Sequence, residues 1–144
     1  MIFRLYFIEL KMLCKDCGIC CFKTEMLITD DDIKTILTNY NAPLKVDDFT
    51  FKNEDGYWQL KNVNNHCYFF DEKTKLCSIY KFRPEGCRYY PLIYLEDINI
   101  CSLDTDCPRR DKFYLDWRER QHATEKLIKY LKKYNFIEYN KKDK

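Results

Sequence analysis

The segment CKDCGICC, from Cys14 to Cys21, places four thiols within eight residues. Adjacent Cys20 and Cys21 cannot bridge each other without severe strain, because a disulfide needs Cα atoms roughly 4.4–6.8 Å apart and suitably directed Cβ vectors. In Cys14-x-x-Cys17 and Cys17-x-x-Cys20, by contrast, a tight turn can point two sulfurs toward one centre. The segment therefore favours thiolate ligands over disulfides.

Nine cysteines in a chain of 144 residues leave two interpretations, a disulfide scaffold and a metal–thiolate protein. The amino-terminal stretch MIFRLYFIELKML has no basic n-region and no small-residue cleavage site, and Arg4 and Glu9 interrupt its apolar run. No window is long enough to span a bilayer. We therefore expect a cytoplasmic protein, in which thiols stay reduced and clusters of them usually hold metal. A disulfide-stapled structural protein is the alternative.

The cysteine spacings can be compared with those of known metal centres. Cys14, Cys17 and Cys20 match the first three positions of the ferredoxin run C-x₂-C-x₂-C-x₃-C-P, but the fourth position falls on Thr24. A remote Cys107-Pro108 could supply the missing type of ligand. Zinc sites usually show two separate C-x₂₋₄-C pairs, which this chain lacks. The spacing favours a [4Fe–4S] cluster and leaves zinc, or one centre of each kind, open.

The charged residues point to the same kind of site. Arg83 and Arg88 flank Cys87, and guanidinium groups there could offset the negative charge of a thiolate centre and donate to sulfur. We therefore predict that both arginines contact the cofactor, with two solvated surface residues as the alternative. The net charge of +2 gives no reason to expect nucleic acid, a membrane or an acidic partner.

Helix and strand signals occur on both sides of a predicted hairpin. Within ITDDDIKTILTNY, Thr29 can cap a helix with Asp32 completing a variant of the capping box. The apolar face of this helix would contain Ile33, Ile36, Leu37 and Tyr40. GYWQLK is predicted as a strand with Trp58 and Leu60 on one side, and Phe3, Leu5 and Phe7 suggest another strand.

CYFFDEKTKLCSIY is a predicted hairpin. A turn centred at Glu72 would place Cys67 opposite Cys77, with Cβ atoms about 4.5–5.5 Å apart, which suits two ligands of one centre. Further on, Pro84 can start a short helical turn that Pro91 closes.

The carboxyl-terminal part, PRRDKFYLDWRERQHATEKLIKYLKKYNF, is predicted as a long helix that packs on the core or offers a surface to a protein partner. Its buried stripe would contain Phe113, Trp117, Thr124, Leu127, Ile128, Leu131 and Tyr134. We expect one domain over 1–144, with 1–12 as a candidate extension and 140–144 as a frayed tail. The fold class is α+β, a small domain with a cysteine-rich metal-centred core, short β-hairpins and this long amphipathic helix.

The motifs CKDCGICC, then CYFFDEKTKLCSIYKFRPEGCRYYP, then DCP resemble those of the CxxCxxCC family of zinc- or iron-chelating proteins. The resemblance extends from Cys14 to Pro108. After Cys107-Pro108 the family often has glycine, where this chain has Arg109, so the local turn could differ.

The resemblance implies a metal-binding role and a set of eight ligands. The cysteines that correspond to the family motif are Cys14, Cys17, Cys20, Cys21, Cys67, Cys77, Cys87 and Cys107. Cys101 is then the extra cysteine, and we expect it to be a small buried residue. His66 is predicted as a turn residue and His122 as a solvated one.

Flagellin lysine N-methylases are similar around the cysteine motif, so an enzyme related to protein-lysine N-methylases that uses a metal cluster is a second interpretation. This chain has three glycines and no glycine-rich loop for a nucleotide or S-adenosylmethionine. Catalytic residues therefore stay undefined, and the resemblance leaves the biological role open.

Overall fold

The computed structural model describes residues 19–137. The predicted amino-terminal strand, Cys14, Cys17 and the tail 140–144 lie outside the described residues. Within the described part, helices alternate with short antiparallel strand pairs, and the longest helix comes last. The α+β prediction is therefore confirmed.

The described residues form two compact units, one ending at Arg88 and one beginning at Tyr89, called here the first and second units. The helices are α1 Asp30–Asn39, α2 Val46–Phe49, α3 Glu85–Tyr89 and α4 Trp117–Lys133. The strands are β1 Leu27–Ile28, β2 Thr50–Lys52, β3 Trp58–Leu60, β4 Asn62–Val63, β5 His66–Cys67, β6 Phe70–Asp71, β7 Leu76–Cys77, β8 Leu92–Leu95 and β9 Ile100–Leu103. Short 3₁₀ turns lie at Ile19–Cys21, Tyr80–Phe82 and Arg110–Lys112.

The first unit combines a three-stranded antiparallel sheet, in the order β1-β3-β2, with the hairpins β4–β5 and β6–β7. Its buried core consists of Ile28, Ile33, Ile36, Phe49, Leu60, Cys67, Phe69 and Ile79. A cysteine in this group means that a thiol is packed as part of the hydrophobic core. Cys21 and Cys77 are half-buried and pack against the same core.

Helix α1 forms as the sequence predicts. The Thr29 hydroxyl accepts a hydrogen bond from the Asp32 N–H, and the Asp32 carboxylate accepts one from the Thr29 N–H, both at 3.0 Å. Ile33 and Ile36 are buried, whereas Leu37 is 38% exposed. The apolar face is therefore narrower than the spacing indicated, since Leu37 lies at its margin.

The β4–β5 hairpin was not predicted, although its turn has a sequence signal. Asn64 and Asn65 connect the two strands with φ values of 53° and 67°. Both residues are in the left-handed region, as a two-residue hairpin turn of the primed type requires, and asparagine tolerates that region well. The neighbouring strand β3 agrees with its prediction, with Leu60 buried.

The second unit pairs β8 with β9 and packs α4 on β8. Helix α4 begins at Trp117, with the Asp116 carboxylate accepting from the Arg118 N–H at 2.8 Å. The prediction of a helix from Pro108 onward was wrong, because the chain forms a 3₁₀ turn and then becomes extended at Phe113.

The predicted buried stripe of this helix is partly corrected. Phe113 is buried but precedes the helix, and Trp117 is 67% exposed. Leu127 is buried as predicted, and Tyr130, which the stripe omitted, is buried with it against Leu92. No helix within residues 19–137 has the length and apolar character needed to cross a membrane.

Thr29→Ala should lower the free energy of unfolding by about 1 kcal/mol, because the Asp32 N–H loses its acceptor at the start of α1. Urea denaturation followed by circular dichroism measures this change. The matched control is Thr35→Ala, at an exposed position within the same helix. Equal loss in the two variants would contradict the assigned cap.

Candidate metal centre

Cys67 and Cys77 occupy two turns with the same local design. The Cys67 sulfur accepts a hydrogen bond from the backbone N–H of Phe69, and the Cys77 sulfur accepts one from that of Ile79. Each donor residue lies two positions beyond its cysteine, and its side chain is buried in the core. Such N–H groups favour the ionised form of a sulfur, so both turns suit a thiolate.

The register predicted for these two cysteines was wrong. Cys77 pairs with Phe70 in β6–β7, and Cys67 pairs with Asn62 in β4–β5. The loop between β6 and β7 covers residues 72–75, where the Asp71 carboxylate accepts from the Lys73 N–H at 2.9 Å and Lys75 has a φ of 59°. The turn is therefore centred between residues 73 and 74, and not at Glu72.

A separate pair of hydrogen bonds ties the two cysteine turns together. The Phe69 carbonyl accepts from the Ser78 backbone N–H at 2.7 Å and from the Ser78 hydroxyl at 2.8 Å. Ser78 follows Cys77, and Phe69 donates to Cys67. The two sulfurs are therefore held by one connected hydrogen-bond network, even though they are not directly opposed on a strand pair.

The segment that follows Cys20 and Cys21 is docked on the β4–β5 hairpin. The Lys23 N–H donates to the Asn65 carbonyl at 2.6 Å. The Asn62 side-chain amide accepts from the Thr24 N–H at 3.0 Å and donates to the Thr24 carbonyl at 2.9 Å. Asn62 thus behaves like a strand partner, and it brings the first cysteine pair to the hairpin that carries Cys67.

Cys87 is presented by α3, which is only five residues long. The Cys87 N–H donates to the Pro84 carbonyl at 3.0 Å, so the turn begins at the proline that the sequence indicated. The first backbone donor of α3, the Glu85 N–H, donates to the Asp32 carboxylate of α1 at 3.0 Å. Sequence reasoning did not find this link, since nothing local connects residues 53 positions apart.

Five free thiols of the first unit affect one another's ionisation, and they are called here the thiol cluster. They are Cys20, Cys21, Cys67, Cys77 and Cys87. Cys20 and Cys21 behave as a hydrogen-bonded pair. The bond from Cys21 lowers the pKa of Cys20 to about 7, against the opposing effect of desolvation of its sulfur by the surrounding atoms. The same bond, followed by burial and nearby thiols, raises the pKa of Cys21 strongly.

The other three thiols resist ionisation in the metal-free protein. Burial, with added repulsion from neighbouring thiols, raises the pKa of Cys67 to about 11. Burial likewise raises the pKa of Cys77, and raises that of Cys87 well above its ordinary value. A low-dielectric site holding several potential negative charges disfavours each of them. A cation would reverse that balance.

Arg83 carries a positive charge close enough to the thiol cluster to affect it. After the larger effects of hydrogen bonding and burial, its guanidinium lowers the pKa values of Cys20, Cys77 and Cys87. The guanidinium lies 4.1 Å from the centre of the Tyr80 ring and donates to the Tyr80 carbonyl at 2.7 Å. Arg88 is an exposed residue of α3.

The other two described cysteines and the two histidines make different contacts. Cys107 is buried and Cys101 is half-buried against the Leu92 core, both in the second unit. His66 stacks on Phe70 at 4.5 Å between ring centres, and its Nδ1 lies 3.1 Å from the Asn64 carbonyl oxygen. His122 is exposed on α4, as predicted.

Among residues 19–137, no three His, Cys, Asp or Glu side chains already form an arrangement that could hold a metal ion. The chemistry of the thiol cluster nevertheless fits a soft cation. It offers several sulfurs, backbone N–H donors directed at two of them, and a guanidinium beside them. Thiolates select zinc and iron–sulfur clusters among the common biological metals.

These features define a cysteine-rich α+β protein with a sulfur-donor site. Residues 13–108, two-thirds of the chain, match the CxxCxxCC family, whose description is "Putative zinc- or iron-chelating domain". The chain belongs to this family.

One curated relative is the uncharacterized protein MJ0661 of Methanocaldococcus jannaschii, 37% identical over 83 residues. The aligned part covers 54% of this chain and 43% of that relative. The chain therefore corresponds to less than half of the relative's length. No solved structure matches this chain.

In the metal-free protein, Cys20 should be alkylated faster than the other described cysteines. It is exposed, and its pKa of about 7 makes it largely a thiolate just above neutral pH, whereas Cys67 is buried with a pKa of about 11. Site-resolved mass spectrometry after short exposure to iodoacetamide gives each rate.

The rate at Cys20 should rise with pH and level off above about 7, because the thiolate is the reactive form. Cys21, the other member of the hydrogen-bonded pair, supplies the control. Cys21→Ala removes the thiol that donates to Cys20 and should shift this profile toward higher pH. Faster alkylation of Cys67 than of Cys20 would contradict the assignment.

Proposed function

We propose that this protein uses the thiol cluster to hold a metal centre. The observation that carries the proposal is that five thiols from four chain segments of the first unit lie close enough to affect one another's ionisation, with Arg83 nearby. Cysteines bound to a cation would explain why backbone N–H donors point at two of the sulfurs and why a guanidinium lies near the cluster.

The raised pKa values of Cys67, Cys77 and Cys87 support this proposal thermodynamically. Ionising them without a cation is costly because of burial, and metal coordination provides the compensating charge. Binding would therefore release protons and stabilise the fold at the same time. Such coupling is common in small metal domains, whose binding free energy contributes directly to folding.

Among the candidate centres, we favour a [4Fe–4S] cluster. The interlocking spacing of Cys14, Cys17 and Cys20 resembles the start of a ferredoxin run. The guanidinium of Arg83 would offset the charge of a cluster ligated by thiolates. Zinc is the second candidate, because the paired N–H-to-sulfur turns at Cys67 and Cys77 equally suit a closed tetrahedral site.

The proposed ligands are the cysteines of the family motif. Cys20, Cys21, Cys67, Cys77 and Cys87 are supported by the thiol cluster, and Cys14 and Cys17 by their spacing in the sequence. Cys107 is proposed from the family resemblance alone. Arg83 is proposed as the charge-offsetting residue beside the centre, and the same role for Arg88 stays a prediction.

The biological setting is also a proposal. The family membership favours a metal centre over disulfide staples, and we infer a cytoplasmic protein because clustered thiols stay reduced in that compartment. A metal-cluster enzyme related to protein-lysine N-methylases is the second function. It rests on the similarity of the cysteine motif.

Protein purified without oxygen should contain iron and acid-labile sulfide in equal amounts and absorb broadly in the visible range. Stoichiometric zinc in a colourless protein would instead support zinc, the second candidate. Metal-free protein, after reconstitution attempts with iron and sulfide and with zinc, would refute the proposed function.

Cys77→Ala should lose most of the bound metal. Loss of a direct ligand should weaken binding by more than the roughly 10–100-fold typical of changes around the ligands. Cys101→Ala is the matched control, because Cys101 is a half-buried cysteine of the second unit that packs on the Leu92 core. Elemental analysis compares the two variants, and equal metal loss would contradict the assignment of Cys77.

Removing the metal should lower the melting temperature of the parent protein. The buried thiols then lose the cation that compensates for their charge, and binding free energy is folding free energy in such proteins. Differential scanning calorimetry before and after treatment with a chelator measures the change. Cys77→Ala, already depleted of metal, should respond little, and a parent midpoint insensitive to metal removal would contradict a structural role.

A further inference from the structure

Asp32 links the start of α1 to the start of α3 through one carboxylate. Its Oδ2 atom accepts from the Thr29 N–H at 3.0 Å, and its Oδ1 atom accepts from the Glu85 N–H at 3.0 Å. Each oxygen therefore satisfies a backbone donor at the amino-terminal end of a different helix. Such donors have no partner within their own helix, and negative charge there is favourable.

Helix α3 cannot fix its own position. It has five residues, little more than one turn, and helices that short are marginal without tertiary contacts. Pro84 has no N–H, so the Glu85 N–H is the first donor that the turn can use to attach to the rest of the first unit. Cys87 lies two residues further on and is bonded through its own N–H to the Pro84 carbonyl.

We propose that Asp32 is a positioning residue for the metal centre, holding α3 so that the Cys87 thiol stays within the thiol cluster. This inference rests on the proposed function, since it concerns one of the proposed ligands. Asp32 itself is not assigned as a ligand, because its two oxygens are committed to backbone donors. It acts through α3, which also begins two residues after Arg83.

The need for a carboxylate follows from the geometry of the two bonds. Both partners of Asp32 are N–H donors, so both side-chain oxygens must accept a hydrogen bond. Asparagine supplies one acceptor oxygen and one NH₂ donor, so Asp32→Asn can satisfy only one partner. Alanine satisfies neither.

The test uses the full chain loaded with cobalt(II), whose thiolate charge-transfer bands report sulfur ligation. Site-resolved alkylation by iodoacetamide then measures the protection of Cys87. In Asp32→Ala we expect Cys87 alkylation to accelerate about tenfold or more, the effect of losing a charge-assisted hydrogen bond. The charge-transfer intensity should fall, with Cys67 and Cys77 still protected.

Thr29→Ala is the matched control. It removes the hydroxyl that caps α1 but leaves both backbone donors on the Asp32 carboxylate. It should therefore lower stability while changing Cys87 alkylation by less than about twofold, well below the loss expected for a charge-assisted bond. If Asp32→Ala does not fold, Asp32→Asn, which keeps one acceptor, replaces it in the same comparison.

The outcomes separate this inference from the proposed function. A parent protein that shows no sulfur-to-metal charge-transfer bands with cobalt(II), and none after reconstitution with iron and sulfide, would overturn both. Bands in the parent, with Cys87 equally protected in the parent and in the folded Asp32 variant, would overturn the positioning role alone. Equal rates of Cys87 alkylation in Thr29→Ala and in the Asp32 variant would also overturn the positioning role. The effect would then follow from the general stability of the helix.

Discussion

The cost of ionising buried thiols is the constraint that dominates the first unit. Cys67 and Cys87 share a low-dielectric region with three more thiols, and burial raises the pKa values of both. The cluster avoids the cost of buried charge by staying mostly protonated, with one lowered pKa in the Cys20–Cys21 pair. A bound cation would make the ionised state favourable.

The hydrogen-bond network around the cluster is built mainly from backbone groups. Phe69 donates to one sulfur and accepts from Ser78, and Asn62 pairs with both backbone groups of Thr24. Backbone donors are set by the fold and cost no further side-chain ordering when a ligand binds. The cysteines therefore come from separate segments, and hydrogen bonds of the fold hold these segments in place.

The sequence predicted the features that depend on local chemistry. The capping box of Thr29 and Asp32 formed as its spacing indicated, and the turn beginning at Pro84 followed from the missing N–H of proline. Local signals were insufficient where a side chain competed with the expected register. The Asp71 carboxylate bonded two backbone N–H groups of the following loop and shifted the β6–β7 pairing away from Glu72.

Long-range placement could not be predicted from spacing alone. The amide of Asn62 and the second oxygen of Asp32 join residues 38 and 53 positions apart, and neither has a sequence signature. The start of α4 was misplaced because Phe113 is apolar and buried, as a helix residue would be, while its backbone is extended. The apolar pattern identified what is buried, and the backbone geometry decided where the helix begins.

The two tryptophans give the molecule a spectroscopic property that follows from their positions. Trp58 is half-buried in β3 of the first unit, with the Lys52 ammonium 4.3 Å from the centre of its ring. Trp117 is exposed at the start of α4 in the second unit. The chain therefore has one indole in each unit, in environments of different polarity. Its intrinsic fluorescence should contain a solvent-relaxed component from the carboxyl-terminal helix and a shielded component from the unit that contains the thiols.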